Sequence, residues 1–164
     1  MKRLFLIRHA KSSWEQHGLG DRDRPLNERG ERDAPSMAER LKEFGLVNPR
    51  FLISTAKRTV QTGKIVTDLL DTPNTAIHHI QHLYLAAGRV LLDTVIASDA
   101  EQDLVIIGHN PGISDAASMI SGENMEMVTS HVVGIELHVD EWAAVSLRTG
   151  SMIYNDYPKK HPAS

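Results

Sequence analysis

The chain has 164 residues, a formal net charge of −3 and no cysteine. Its length fits one domain, residues 1–164, with room for a substantial core, and 41% hydrophobic with 24% charged residues is the balance of a folded globule. Lack of cysteine excludes disulfides, thiolate nucleophiles and Cys-ligated metal centres. The acidic balance argues against nucleic acid as a partner, because a phosphate backbone calls for a basic surface. No apolar run approaches a membrane span, and the stretch 4–7 is too short for a signal-peptide core, so a cytoplasmic location is expected.

Residues 3–7 are compact and apolar, as in a buried parallel strand, and present Arg8 and His9 at its end. After a polar, turn-rich stretch, Asn27 is placed to cap a helix whose apolar side is Ala34, Met37, Leu41 and Phe44, with Gly45 as its stop. Pro35 inside that pattern predicts a kink or a restart. Phe51-Leu52-Ile53 reads as a second buried strand. A helix over 56–70 follows, carrying Val60, Ile65, Val66 and Leu69 and ended by Asp71-Thr72-Pro73.

Ala76-Ile77 is a strand candidate, 78–87 is ambiguous, and Val90, Leu91, Val95 and Ile96 predict a helix. The β-branched run 104–107, ended by Gly108, leads into His109-Asn110-Pro111-Gly112 and a helix with Ile113, Ala116, Ala117 and Ile120. Val133, Ile135, Leu137 and Val139 alternate as in a half-buried strand, 143–147 and 152–154 add one or two more, and the tail from Pro158 is expected to be loose. Alternating strands and helices imply an α/β fold with a mostly parallel sheet, in which ligand sites gather beyond the strand C-termini.

Two predicted strands end alike, in Arg8-His9 and in Gly108-His109, so both imidazoles emerge at one sheet edge. At a third strand end, residues 54–59 open a helix and bring Arg58 to that edge. A helix N-terminus with a guanidinium favours an anion, and two arginines with two imidazoles form a donor cluster of phosphate size. Guanidinium charge lowers an imidazole pKa, which leaves His9 neutral and able to attack phosphorus. A protonated His109 is suited to stabilising the equatorial oxygens of the transition state. Lys11 and Ser12 follow the nucleophile closely enough to touch substrate. Asp21, Arg22, Asp23 and Arg24 read as local ion pairs.

Leu6-Ile7-Arg8-His9-Ala10-Lys11-Ser12-Ser13-Trp14 resembles the opening of the histidine phosphatase superfamily, the phosphoglycerate-mutase-like proteins with an Arg-His signature. The resemblance continues through Asp23-Arg24-Pro25-Leu26 with Arg29-Gly30, residues 54–62, and 108–112, and is strongest to the short SixA-type branch of phosphohistidine phosphatases. It implies a three-layer αβα sandwich, no metal or organic cofactor, His9 as phosphoryl acceptor, and Arg8, Arg58 and His109 completing the phosphate pocket, with Asn110 beside it as a substrate contact. The short length implies an open site suited to phosphohistidine on a partner protein such as a phosphotransfer domain, acted on by a monomer.

One departure stands out. Many relatives carry a glutamate acid just before the position of Leu83-Tyr84, where this chain has Gln81 and His82. Glutamine cannot donate a proton as an acid, so His82 is the candidate acid, or none is needed, because the P–N bond to imidazole is labile. Small phosphorylated metabolites are the alternative substrates, and a phosphohistidine-binding module without turnover is the rival from another class. His78 and His82 would share a face only on a helix, and no acidic ligand accompanies them, so no metal site is expected.

Overall fold

The computed structural model describes residues 1–15 and 17–162. Six strands form one sheet: β1 (Arg3–Arg8), β2 (Arg50–Ser54), β3 (Ile77–Ile80), β4 (Asp103–Gly108), β5 (Val132–Leu137) and β6 (Gly150–Asp156). Their spatial order is β3-β2-β4-β1-β5-β6. The first four are mutually parallel, whereas β5 runs antiparallel to β1 and β6 antiparallel to β5. The helices are α1 (Glu28–Phe44), α2 (Lys57–Leu69), α3 (Gly88–Ile96) and α4 (Gly112–Ser121).

Because side chains alternate across a strand, β1 divides its apolar residues between two cores. Phe5 and Ile7 pack with Met37, Ala38 and Leu41 of α1 and Val66 of α2. Leu4 and Leu6 pack with Leu91, Leu92 and Val95 of α3 and Ile113, Ala116 and Ala117 of α4. The result is the expected three-layer αβα sandwich with a mostly parallel central sheet. Among the described residues no helix is long and apolar enough to cross a membrane.

The α1 boundaries follow their predicted signals. Asn27 Oδ1 accepts from the Gly30 amide at 2.9 Å, and Gly45, at φ 92°, ends the helix with its N–H on the Leu41 carbonyl. α1 is not restarted at Pro35 but continues through it, since one missing i→i−4 donor is outweighed by the buried apolar face on both sides. Three other expectations are corrected. β5 is buried on nearly every residue rather than half-buried, because both sheet faces are covered there. Residues 143–147 form no strand. The chain makes a 3₁₀ turn at Trp142–Ala144, where the buried indole N–H donates to the Ala100 carbonyl at 2.7 Å. The segment after Tyr157 is a 3₁₀ turn, Pro158–Lys160, held back by a 2.6 Å contact of His161 Nε2 with Asp156; its last two residues lie outside the described ones.

At the edge opposite the strand C-termini, Arg3 grips the fully buried Asp103 through Nε at 2.9 Å and Nη2 at 2.5 Å, and the Val47 amide donates to the same carboxylate at 2.6 Å. Removing the guanidinium strands a buried charge, which costs about 3 kcal/mol or more. Arg3→Met is therefore expected to lower the unfolding free energy by that amount, read as a lower urea midpoint at unchanged m. An unchanged midpoint would show that the Val47 amide alone suffices to hold the carboxylate.

Candidate active site

The parallel register decides which side chains meet. Ile7 lies opposite Ile107, and Ile107 opposite Ile53, so β1, β4 and β2 end side by side. The ladder continues one step past β1, with the His9 amide donating to the Gly108 carbonyl at 3.1 Å and the Ser130 amide to the His9 carbonyl at 3.0 Å. The next amide, that of Ala10, donates to Thr62 Oγ1 on α2 at 3.0 Å. His9 is thus a fixed strand extension, and its ring centroid lies 5.4 Å from that of His109.

The His9 tautomer follows from one contact. Nδ1 lies 2.7 Å from the Ala10 carbonyl, and a carbonyl only accepts, so Nδ1 carries the proton and Nε2 keeps the lone pair. His109 Nε2 lies 2.7 Å from Ser54 Oγ at the end of β2. Buried and without a protein partner are His109 Nδ1, Arg8 Nε and Arg58 Nε. Such atoms are costly to leave unpaired, and a bound anion would satisfy them.

Arg58, in the first turn of α2, is only 2% exposed. It donates from Nη1 to the Asp21 carbonyl at 2.7 Å and from Nη2 to Asp21 Oδ2 at 2.9 Å. Arg8 reaches across to the Met127 carbonyl at 3.2 Å. Burial and the neighbouring Arg58 charge push the Arg8 pKa down. Burial, joined by His109, Arg58 and Arg8 and only partly offset by the Ala10 hydrogen bond, lowers His9 to about 3. Burial and Arg58 lower His109 to about 4, with Asp21 pulling the other way. Burial beside two guanidiniums thus favours the neutral form of both imidazoles at pH 7 unless an anion supplies counter-charge.

Four predicted residues, Arg8, His9, Arg58 and His109, therefore converge on one sheet edge. The others do not present themselves in the same way. Lys11 is half-buried, its carbonyl accepting from the Asn27 amide at 3.0 Å. Ser12 is buried and accepts from Arg24 Nη1 at 2.8 Å, so its hydroxyl is held by the scaffold. Asn110 donates to the Met127 carbonyl at 2.7 Å and accepts from Ser114 at 2.5 Å, which ties the loop before β5 to α4. His82 is turned off the pocket: Nε2 meets Thr94 Oγ1 at 3.1 Å, and the ring lines a groove between β3 and α3 that includes none of the four convergent residues. His78 sits on strand β3, so it shares no helical face with His82. Among the described residues no three His, Cys, Asp or Glu side chains gather as for a metal.

Asp21 and Tyr84 were not legible as site residues. Asp21 does pair locally, with Arg24 at 3.3 Å, but its other oxygen reaches Arg58 and accepts from the Tyr84 hydroxyl. Burial opposes its charge, yet the hydrogen bonds from Tyr84, Arg58 and Arg24 prevail and hold its pKa at about 2. Tyr84 stands edge-on to His109 at 5.6 Å, and its face carries the Arg22 guanidinium at 4.7 Å. Arg22 in turn donates to Gln81 Oε1 at 3.2 Å. In the alternating charges of residues 21–24 nothing marks a contact 37 residues away.

Known proteins resemble this chain in sequence and in fold. The model of the histidine phosphatase superfamily, branch 1, matches residues 4–132. An uncharacterized chloroplastic protein of Arabidopsis thaliana is 35% identical over 150 residues, covering 86% of this chain and 69% of that protein. Matches to phosphoglycerate mutases, such as that of Dichelobacter nodosus at 32% identity over 80 residues, take in 48% of this chain and 32% of the mutase. A SixA protein from Agrobacterium tumefaciens superposes with a TM-score of 0.81 at 25% identity over 96% of this chain and 98% of that one. The protein histidine phosphatase SixA solved with tungstate gives 0.80 at 21% identity, with the same coverage of 96% and 98%. Fold, motif order and family model thus agree, and the chain belongs to the histidine phosphatase superfamily, branch 1, as a phosphatase of the phosphoglycerate-mutase-like fold.

Proposed function

We propose that the protein removes the phosphoryl group from phosphohistidine on a partner protein, in the cytoplasm and as a monomer, with His9 as the transient acceptor. The observation that carries this reading is the His9 tautomer, pinned by the Ala10 carbonyl so that Nε2 offers its lone pair beside unpartnered donors of Arg8, Arg58 and His109. In the first step Nε2 forms a bond to phosphorus while the bond from phosphorus to the substrate imidazole breaks. The substrate ring, protonated on its far nitrogen, leaves neutral. In the second step water attacks the His9 phosphoryl, Nε2 leaves, and inorganic phosphate departs. An entering phosphoryl dianion supplies the counter-charge that raises the His109 pKa, so His109 becomes a charged donor only when the site is filled.

The substrate assignment rests on the leaving group. His82 faces Thr94, and Gln81 bonds Arg22, so neither place of the relatives' glutamate aims an acid at the pocket. An imidazole leaves without such help far more readily than an alkoxide. The SixA protein solved with tungstate is a protein histidine phosphatase, which supports the same choice. Small phosphorylated metabolites are separated from this reading by a panel of substrates scored for released phosphate.

Brief exposure to a protein labelled on phosphohistidine is expected to leave acid-labile, base-stable label on the wild type and none on His9→Ala; equal label on both would remove the assignment. Arg58→Ala is expected to lower kcat by about 100- to 1000-fold. His82→Ala is expected to stay within about twofold of the wild type, and a loss comparable to that of Arg58→Ala would return His82 to the role of acid. Because the lowered pKa values keep both rings neutral above pH about 4, the imidazole resonances of His9 and His109 should show no titration between pH 7 and about 5 and shift only at lower pH. An inflection near 6.5 in the phosphate-free protein would contradict the burial argument.

A further inference from the structure

A second concentration of positive charge lies between α1 and the turn after β6. Arg29, Arg32 and Arg40 line one side of a cleft, and Lys159 lines the other beside His161, which Asp156 holds. Its one carboxylate, Asp33, is shared by Arg29 at 3.5 Å and Arg32 at 3.4 Å, so it offsets only one of them. Arg40 Nε is buried without a partner, and Lys159 and Arg32 are exposed. The chain as a whole carries −3, so this attraction is local and acts within about one Debye length, roughly 10 Å.

One wall of the cleft, the turn after β6, begins at the sheet edge that holds His9. Asp156 pairs with Val132, and Val132 with Ile7, two residues before His9. Two strand spacings, about 10 Å, therefore separate the ends of β1 and β6, and the basic turn after β6 leaves the sheet at the same edge. Tyr157 lies 5.1 Å from the His131 ring, and the His131 carbonyl accepts from the Arg8 amide at 3.1 Å. An extended chain at about 3.3 Å per residue covers that interval in about three residues, and about three more carry it along the cleft.

We propose that this cleft is a docking surface for an acidic flank of the phosphorylated protein substrate. Asp or Glu side chains about three to six residues from the phosphohistidine pair with Arg32, Arg40 and Lys159 while the phosphoryl group enters the pocket. The inference rests on the phosphohistidine-protein reading above and names which proteins it favours. The cations span about 16 Å along α1, at about 1.5 Å per residue from Arg29 to Arg40, which exceeds the reach of a single small anion. A nucleic acid needs neutralisation along many phosphates, which a negative chain with one short basic face does not supply.

The test uses peptides with one histidine flanked by Glu or by Gln. Unphosphorylated, they are titrated against the full chain by fluorescence anisotropy at low ionic strength, which reads the surface independently of catalysis. Several rim pairs together are expected to make the Glu peptide bind about tenfold tighter, with the preference lost in about 0.5 M salt and in Arg32→Glu/Lys159→Glu. Phosphorylated, the Glu peptide should show the same preference in kcat/KM, while the double variant turns over free phosphohistidine like the wild type. Equal binding of the two peptides, a preference that survives the double variant, or tighter binding of an oligonucleotide would each overturn the proposal. Absence of hydrolysis with every substrate would instead count against the phosphohistidine reading, leaving the binding result to stand for the surface.

Discussion

Everything at the site depends on the register of three neighbouring parallel strands. Ile53, Ile107 and Ile7 stand in line across β2, β4 and β1, the next positions are Ser54, Gly108 and Arg8, and His109 and His9 follow directly as β4 and β1 end. Side chains alternate faces with each residue, so a slip of one position would send the imidazole of His9 to the other side of the sheet and expose the apolar residues that hold the layers. The two hydrophobic cores therefore specify the catalytic geometry as firmly as they specify the fold. Beyond the last ladder pair, the Gly108 and Ser130 contacts of the His9 main chain and the Thr62 contact of Ala10 keep the backbone from relaxing into a loop.

Placing two guanidiniums and two imidazoles in one desolvated space has an electrostatic consequence. Something must give, and the rings do, because a neutral imidazole is cheap to bury and an arginine does not lose its proton. The same crowding that would be a fault in an empty core prepares this one for a dianion. Asp21 tempers the excess without satisfying every donor, since the Nε atoms of Arg8 and Arg58 are buried with no partner among the described residues.

Much of this was legible in the residues themselves. The β-branched run before His109, the apolar run before Arg8 and the Asn27 and Gly45 signals around α1 each encode local structure within a few positions, and each is found where expected. What was not legible lies in contacts distant along the chain. The direction of His82 is decided by Thr94 on α3, the commitment of Asn110 by the Met127 carbonyl, and the reach of Asp21 by Arg58, none of which has a periodic or adjacent trace. Burial of β5 on both faces likewise follows from the helices on either side of the sheet, Val133 and Ile135 packing with α3 and α4 and Val132 with α1 and α2, which its alternating composition does not reveal.

The double grip of Asp21 on Arg58, through its carbonyl and its carboxylate, bears on where ordering free energy is spent. An arginine has several rotatable bonds, and fixing them costs up to about 2 kcal/mol. Here that entropy is lost once, when the chain folds, and not again at each encounter with a ligand. The Arg58 guanidinium is held in place by the folded chain itself, and its affinity is not diluted by a search through rotamers.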